Sequence, residues 1–248
     1  MVLNNLSSDA PLYKEVRRRI LEALARGEWR PGGRLPNEAD LAERFGVAVS
    51  TIRAGVRELT AAGVLVRRQG KGTFVARHDF ERQQFRFSNV YSSGRKKVVT
   101  RRHITAMKRV RADAATRLLL QLDGTGSADV HRISAILKVG DEPVAVMELV
   151  LPVAKFPYLS QKDLEQKSEN LYSVYQRVVG ITVVRMEERV FAKTATAALA
   201  RKLNVQAGHP ILCVDRIAFS FNDMPVEIRR RLYEGSQHYY LFVHDRLD

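Results

Sequence analysis

Cysteine is almost absent from this sequence of 248 residues, and so are long apolar runs. The single thiol, Cys213, cannot form an internal disulfide, which fits a reducing compartment. No apolar stretch approaches the ~18 residues of a membrane-spanning helix, and the first residues lack the basic-then-apolar pattern of a secretory signal. We therefore expect a cytoplasmic protein with no membrane partner. With 45% hydrophobic residues, the chain can form one large domain or two ordinary ones.

Signatures of catalysis are also scarce. There is no HExxH metal motif, nucleophile elbow or phosphate-binding loop, and Cys213 lies in an apolar stretch typical of a buried, inert thiol. The six histidines are scattered along the chain, at His78, His103, His131, His209, His238 and His244. We expect no enzymatic activity, no cofactor and no metal site.

Positive charge is abundant but unevenly placed. Of the net charge of +14, residues 1–80 hold 14 Lys and Arg against 9 Asp and Glu, and residues 81–111 hold 10 against 1. Residues 112–248 are balanced, with 17 of each sign. A basic N-terminal part and a neutral C-terminal part are expected where the first binds phosphates and the second binds a different partner.

The stretch from Asn37 to Ala62 predicts two short helices joined by a tight turn. Asn37 is a suitable N-cap for the first helix, and Gly46 can supply the positive φ that ends it. The second helix has a buried stripe and an opposite polar face that carries Ser50, Thr51, Arg53 and Arg57. This pattern is typical of a helix-turn-helix, although an ordinary helical hairpin with a solvated basic face would look similar.

The residues around this motif favour a winged helix-turn-helix. An amphipathic helix over residues 11–26 precedes it, and two short strands follow it around the basic turn at residues 67–72. Such a hairpin can reach phosphates or the minor groove. We assign residues 1–76 to a DNA-binding domain. We expect its DNA contacts at Arg34, Asn37, Ser50, Thr51, Arg53, Arg57, Gln69, Gly70 and Lys71.

Together these residues resemble the N-terminal domain of GntR-family bacterial transcription regulators. The resemblance covers about 65 residues without a gap and rests on a set of positions rather than on one motif. They are Gly27, Pro31-Gly32, Leu35-Pro36, Glu38, Leu41-Ala42, Phe45-Gly46-Val47, Thr51, Arg53, Leu59, Gly63 and Gly70-x-Gly72-Thr73-Phe74-Val75. Ala48-Val49 replaces the usual Ser or Thr then Arg, and Ala39 replaces a frequent basic residue. A different preferred operator is therefore expected. Gly55 is expected to weaken the second helix by about 1 kcal/mol relative to Ala.

Residues 77–97 predict a basic linker, whose excess charge indicates either further phosphate contacts or merely a solvated face. From residue 98 to 248 the pattern is mixed. It predicts hairpins over 130–151 and 211–234, helices over 112–122, 163–179 and 195–203, and strands over 182–191 and 239–244. This order indicates an α+β domain with antiparallel strands.

The back half resembles the UTRA effector domain of the HutC-type GntR branch, which is similar in fold to chorismate lyase. The resemblance is looser here and rests on Glu142-Pro143, Leu151-Pro152, Leu171-Tyr172, Gly180-Ile181, Leu203, Gly208-x-Pro210, Pro225-Val226-Glu227 and Tyr233. The all-helical, metal-binding effector domain of another GntR branch is disfavoured by the predicted hairpins.

Strand alternation places Glu227, Arg229, Arg231 and Tyr233 on one face of the 226–233 strand. Arg and Tyr suit a carboxylate or phosphate ligand, and the resemblance implies ligand contacts at Glu227, Arg229 and Tyr233. An Arg-x-Arg pair usual in the family aligns with Ala135 and Leu137. Arg132 is therefore the nearest substitute, and a smaller or more apolar acid is favoured over a phosphosugar. The same pattern also fits a solvated sheet face with charge pairs.

These features predict a transcription regulator, of repressor type, that binds a double-stranded DNA operator as a homodimer and responds to a small anionic metabolite. The neutral back half is the expected dimer contact. Two alternatives stay open at this point: an enzyme with an accessory DNA-binding domain, and a non-specific architectural DNA binder. The sequence does not name the effector or the operator.

Overall fold

A computed structural model describes residues 11–76, 90–95, 98–122, 128–165 and 170–241. These residues form two compact units. The first contains residues 11–76 together with the short segments Thr182–Val184 and Ser220–Asp223, and the second contains the other described residues. Each unit has its own secondary structure and is described by itself below.

The first unit is a three-helix fold with a hairpin. Its elements are α1 (Leu12–Ala25), α2 (Glu38–Phe45), α3 (Val49–Ala61), β1 (Leu65–Arg68) and β2 (Gly72–Val75). The predicted stripes of α1 and α3 form its core, where Val16, Ile20, Ile52, Val56 and Leu59 are almost fully buried. Burial of apolar side chains at this spacing is what holds short helices together, since isolated helices of this length are marginal in water.

Gly55 has a packing function that the sequence pattern did not indicate. A Cβ atom at this position would lie 2.9 Å from Val16 Cγ1 and 3.1 Å from the carbonyl oxygen of Tyr13. The absent side chain therefore allows α1 to approach α3 closely. Alanine, which favours helices in isolation, would be overpacked here.

The hairpin after α3 is antiparallel, with Leu65 opposite Val75 and Arg68 opposite Gly72. Relative to the predicted turn at residues 67–72, β1 extends two residues further and β2 begins one residue earlier, so only Gln69, Gly70 and Lys71 form the tip. Gly70 has a φ of 69°, which glycine adopts without a steric penalty.

The second unit is built on a six-stranded antiparallel sheet in the order β4-β5-β6-β9-β8-β7. The unit as a whole has eight described strands, of which β3 and β10 lie outside this sheet. They are β3 (Val90–Ser92), β4 (Arg101–Arg111), β5 (Asp129–Val139), β6 (Glu142–Pro152), β7 (Arg185–Thr194), β8 (Pro210–Phe219), β9 (Pro225–Glu234) and β10 (His238–Tyr240). Its helices are α4 (Ala114–Leu120), α5 (Gln161–Leu164), α6 (Leu171–Val179) and α7 (Ala197–Leu203). The predicted α+β class with antiparallel hairpins is confirmed.

Helices cover both faces of the large sheet. Apolar residues of α7 pack with Val146, Cys213 and Leu232, and residues around α4 pack with Val150 and Ile228. All five of these sheet residues lie on one face, as the pairing register requires. The opposite face carries Arg229, which is hydrogen-bonded to a tyrosine of α6. Polar groups of β9 are therefore enclosed on the α6 face.

Two predicted elements differ from the structure. The helix expected over 163–179 is two helices: Ser160 caps α5 through a capping box, and Asn170 begins α6 by accepting hydrogen bonds from the amides of Tyr172 and Ser173. Residues 166–169 between them lie outside the described residues. The last strand ends at Tyr240 rather than near 244, and residues 242–248 are not described.

The expected linker over 77–97 is described only at 90–95. There, β3 pairs with β10 in a separate two-stranded sheet, with Tyr91 opposite Tyr239. Their rings stack with centroids 6.0 Å apart, and Val90 is buried. These contacts with residues almost 150 positions away could not be recognised from the local charge pattern.

Candidate DNA-binding and effector sites

The helix pair α2–α3 has the geometry predicted for a helix-turn-helix. Asn37 caps α2 by accepting a hydrogen bond from the Asp40 amide at 2.9 Å, and Gly46 ends it with a left-handed φ of 68°. Ala48 precedes α3 without a side-chain cap, as its replacement of Ser or Thr predicts. The structure thus assigns the Asn37 oxygen to a helix cap, and a phosphate contact by Asn37 stays a prediction.

The polar face of α3 is accessible. Ser50, Arg53 and Arg57 are exposed, and Thr51 is half-buried. Helical spacing brings these side chains to the side opposite the buried stripe, with Ser50 and Thr51 in the first turn. Such a face suits a helix that presents its N-terminal residues to base edges.

The wing carries its own cations beside this face. Gln69, Gly70 and Lys71 at its tip are exposed. The Arg34 side chain lies against β2 next to the tip, where a Cβ atom at Gly72 would be only 3.0 Å from Arg34 Nε. The neighbouring Leu35 amide donates to the Thr73 carbonyl at 2.9 Å, so Arg34 is fixed to the hairpin through the backbone.

One carboxylate joins the helix and the wing. Arg53 Nε donates to Glu38 Oε2 at 3.0 Å, and an Nη of Arg67 donates to Glu38 Oε1 at 2.9 Å. Glu38 belongs to the family motif in the sequence, but neither its link to Arg53 nor the participation of Arg67 could be predicted from spacing alone.

In the second unit, Glu227 and Arg229 form a buried network with two tyrosines of α6. The Tyr175 hydroxyl donates to Glu227 Oε2 at 2.6 Å, Arg229 Nε donates to Glu227 Oε1 at 2.7 Å, and another Arg229 nitrogen donates to the Tyr172 hydroxyl at 2.8 Å. Glu227 is fully buried and Arg229 nearly so. A solvated sheet face is therefore excluded for these two residues.

The network extends across the sheet to β8 and β7. Arg216, opposite Arg229 in the register, donates to the Tyr172 hydroxyl at 3.1 Å and to Glu188 at 2.7 Å. The Glu188 carboxylate also accepts a hydrogen bond from the Tyr240 hydroxyl of β10. Sequence reasoning missed Tyr172, Tyr175, Glu188 and Arg216, because they come from three elements far apart in the chain.

Arg231 is the third arginine of this group, after Arg216 and Arg229, but its environment is different. Its Nη1 contacts the hydroxyl of buried Tyr233 at 3.4 Å, whereas its buried Nε has no hydrogen-bond partner among the described residues. Burial, with the neighbouring Arg229 and Arg216 guanidiniums, lowers the pKa of Arg231. Burial also opposes the charge of Arg229, but Glu227 together with Tyr172 and Tyr175 outweighs it, so the pKa of Arg229 is raised.

Arg132 does not join this group. It lies opposite Val150, which in turn lies opposite Ile228, so the register places Arg132 on the other face of the sheet. There it is exposed, 3.5 Å from Asp113, at a cleft of about 650 Å³ that is also lined by Glu148 and Arg230. The register therefore places the side chains of Arg132 and Arg229 on different faces of the sheet, and a ligand contact by Arg132 stays a prediction.

In the described part of the chain, no group of three or more His, Cys, Asp or Glu could hold a metal ion. No helix in that part is long and apolar enough to cross a membrane.

A helix-turn-helix with a basic wing, and a separate unit with a buried polar cluster, define a DNA-binding regulator that responds to a small molecule. Residues 12–75 match the gntR family of bacterial regulatory proteins, and residues 95–239 match the UTRA domain. The chain belongs to the GntR family and carries a UTRA effector domain.

Relatives agree with this assignment. The chain is 28% identical over 218 residues to the repressor assigned to the fructoselysine utilization operon of Escherichia coli K12, covering 88% of each protein. It is 29% identical over 237 residues to the histidine utilization repressor of Klebsiella aerogenes, covering 94% of each. Among solved structures, the ligand-binding domain assigned to a GntR-family regulator from Bordetella bronchiseptica aligns with a TM-score of 0.58 at 28% identity, covering 64% of this chain and 98% of that one.

Proposed function

We propose that this regulator binds its operator as a homodimer and that its effector is a small metabolite carrying a carboxylate, held at Arg231. The observation that carries the proposal is the buried Arg231 Nε, which has no partner among the described residues. A buried charged donor without an acceptor is costly, and an anionic ligand supplies both the acceptor and the countercharge.

The charge count of the cluster supports an anion. Arg216, Arg229 and Arg231 contribute three positive charges, whereas Glu188 and Glu227 contribute two negative ones, which leaves one positive charge in excess. A monocarboxylate balances this excess. A dianionic phosphate would exceed it. Fructoselysine and histidine, which appear in the names of the two relatives, each carry a carboxylate.

A thermal-shift screen of the full chain tests this proposal. Small monocarboxylates, amino acids, sugar phosphates and neutral sugars would be compared, because a ligand that binds the native state raises its melting temperature. Arg231→Met should abolish the shift caused by the active acid. It should leave operator affinity without ligand unchanged. Arg230→Met is the matched control, since Arg230 lies next in sequence but on the other face, paired with Asp215.

Three outcomes would contradict the effector assignment. A neutral sugar could prove to be the stabilising ligand, Arg231→Met could retain the full shift, or Arg230→Met could lose it equally. Consumption of the acid by the wild-type protein would instead support the enzymatic alternative.

The DNA contacts follow from the exposed face of α3 and the wing. We assign base contacts to Ser50, Thr51 and Arg53, and phosphate contacts to Arg34, Arg57 and the wing tip around Lys71. One helix and one wing cover only a half-site, so a dimer is needed to read two half-sites about one helical turn, or a multiple, apart. Light scattering of the full chain, free and on a selected duplex, tests the dimer. A single protomer per duplex would contradict it.

Hydrogen bonds and a strand pairing connect the buried arginine cluster to the expected linker. Glu188 bonds both Arg216 of the cluster and Tyr240 of β10, and β10 pairs with β3, which lies within residues 77–97. A ligand changes DNA affinity only if it favours one arrangement over another. We expect Tyr240→Phe to keep the ligand-induced thermal shift but reduce the effect of ligand on operator affinity. Tyr239→Phe, which retains the ring stacked on Tyr91, is the control.

A further inference from the structure

Glu38 lies between the recognition helix and the wing. It begins α2, and its carboxylate faces both Arg53 of α3 and Arg67 of the wing, with one oxygen bonded to each guanidinium. The two arginine side chains are 55% and 63% exposed, whereas that of Glu38 is only 21% exposed. The carboxylate is therefore the more enclosed partner, and the two arginine side chains extend into solvent.

The helix dipole favours a carboxylate in the first turn of α2, but that effect does not require contacts with two arginines. Ion pairs with exposed arginines contribute little to folding, because water and salt screen them. On a surface that approaches DNA, a carboxylate also repels phosphates and weakens the charge-driven part of binding. What Glu38 can supply is the orientation of two long side chains that would otherwise sample many rotamers.

The geometry of the Arg53 contact fits such a function. Arg53 donates to Glu38 through Nε, so its two terminal Nη groups are not engaged by this bond. Those are donors that a guanidinium can direct at the O6 and N7 acceptors of guanine. Holding the side chain in place before binding lowers the ordering cost of forming that contact.

We propose that Glu38 is a positioning residue that sets the sequence specificity of this regulator, by fixing Arg53 of the recognition helix and Arg67 of the wing relative to each other. The inference rests on the proposed placement of α3 in the major groove. Glu38 itself touches no base or phosphate in this scheme and acts through the two arginines.

Glu38→Gln tests the proposal, because it removes the charge and keeps the shape. The matched control is Glu43→Gln, which removes the same charge from an exposed position on the same helix. Affinities of the full chain would be measured at one salt concentration for a duplex selected from a random pool by the wild type, and for a scrambled duplex.

We expect Glu38→Gln to lower the ratio of specific to non-specific affinity by about 2- to 20-fold, which is the lower part of the range that coupled residue pairs show. Glu43→Gln should raise both affinities slightly and leave the ratio unchanged. In the Arg53→Ala background, Glu38→Gln should have a much smaller effect on the ratio. If both glutamate variants change the two duplexes equally, Glu38 acts only as a charge and the proposal is wrong.

A measurement without DNA separates this proposal from the function on which it rests. Nitrogen-15 spectra of the arginine Nε–H groups in the free protein should show the Arg53 signal moved by Glu38→Gln and not by Glu43→Gln. An unmoved Arg53 signal overturns the positioning role. A moved signal in a protein that selects no duplex supports the positioning contact and counts against the proposed groove placement instead.

Discussion

In the DNA-binding unit Arg53 and Arg67 lie on the surface, whereas in the effector unit Arg216 and Arg229 are enclosed against a sheet beside the half-buried Arg231. Arg53 and Arg67 are more than half exposed, and a single glutamate contacts both. Arg216 and Arg229 are almost fully buried, each paired with its own carboxylate and bonded to a tyrosine. The same residue type is therefore paired with carboxylates in two environments, in contact with water in the first unit and buried in the second.

The difference in solvent has consequences for each ligand. Exposed cations attract the many phosphates of DNA over a long range, and salt screens them strongly. Buried cations are screened much less, but their desolvation must be offset by fixed partners. Enclosed arginines of which one is incompletely paired can select one small anion, whereas exposed arginines can bind at many positions along a polyanion such as DNA.

The largest difference between the two units is expected in the free energy of unfolding when one carboxylate is removed from each. Glu227→Gln leaves Arg229 buried without its charged partner and should lower the free energy of unfolding of the effector unit by about 3–5 kcal/mol. Glu38→Gln removes only an exposed pairing and should cost the DNA-binding unit less than about 1 kcal/mol. Urea unfolding of each variant, followed by far-ultraviolet circular dichroism, measures both.

Glu187→Gln is the control within the effector unit, because Glu187 pairs with Arg185 at an exposed position. If Glu227→Gln cost no more than Glu187→Gln, the two regions would not differ in the way proposed. The same reasoning makes Glu227→Ala a poor test of effector binding, since a lost response would follow from lost structure.

Acid provides the second test, since each unit contains a carboxylate with a pKa of about 2. At Glu234 burial opposes ionisation, but hydrogen bonds from Ser236, His209 and the Gln237 amide hold its pKa at about 2 rather than 4.5. At Glu15 the hydrogen bond from Arg18, with one from Arg19, gives a pKa that is also about 2. The Glu234 side chain is 12% exposed and the Glu15 side chain 20%.

Because both pKa values are depressed on folding, both groups stabilise the folded state above about pH 4.5 and lose this contribution as the pH falls toward 2. Glu234→Gln should remove on the order of 2–3 kcal/mol of the pH-dependent stability in this window. Glu15→Gln should remove less, since its partners are exposed and screened. Unfolding free energies between pH 5 and pH 2.5 measure this, and an equal loss in the two variants would contradict the ranking.

The two regions also differ in how far the sequence predicted them. Helical spacing and the cap at Asn37 were sufficient to place Arg53 and Arg57 on the face of α3, because those signals are local. Strand alternation likewise placed Glu227 and Arg229 on one face. Tyr172, Glu188 and Arg216 could not be found in this way, since pairing across β7, β8 and β9 brings them together. The separation of Arg132 from Arg229 was missed for the same reason, and Gly55 was misjudged because propensity ignores the neighbouring helix.

A third test concerns base readout by the exposed set. Arg53→Ala should weaken binding to the selected operator by about 1–3 kcal/mol and relax the preference at one position in each half-site. Affinities for the operator and for single-base variants, measured by fluorescence anisotropy, show which position loses discrimination. An equal loss on specific and scrambled duplexes would mean that Arg53 contacts phosphate rather than a base.

The smallest expected effect, and the one most diagnostic of exposure, is that of Lys71→Ala at the wing tip. A lysine that contacts one phosphate releases about one counterion, so its loss should reduce the slope of log affinity against log salt by about 1. Affinity should fall evenly for all sequences. Lys202→Ala, at an exposed position on α7 of the effector unit, should leave the slope unchanged. Over the same range of about 50–200 mM salt, affinity for the effector should vary little, because the Nε of Arg231, proposed above to bind it, is buried. If effector affinity fell with salt as steeply as DNA affinity, the contrast between enclosed and exposed arginines would not hold. An unchanged slope in Lys71→Ala would remove the wing tip from the DNA contact.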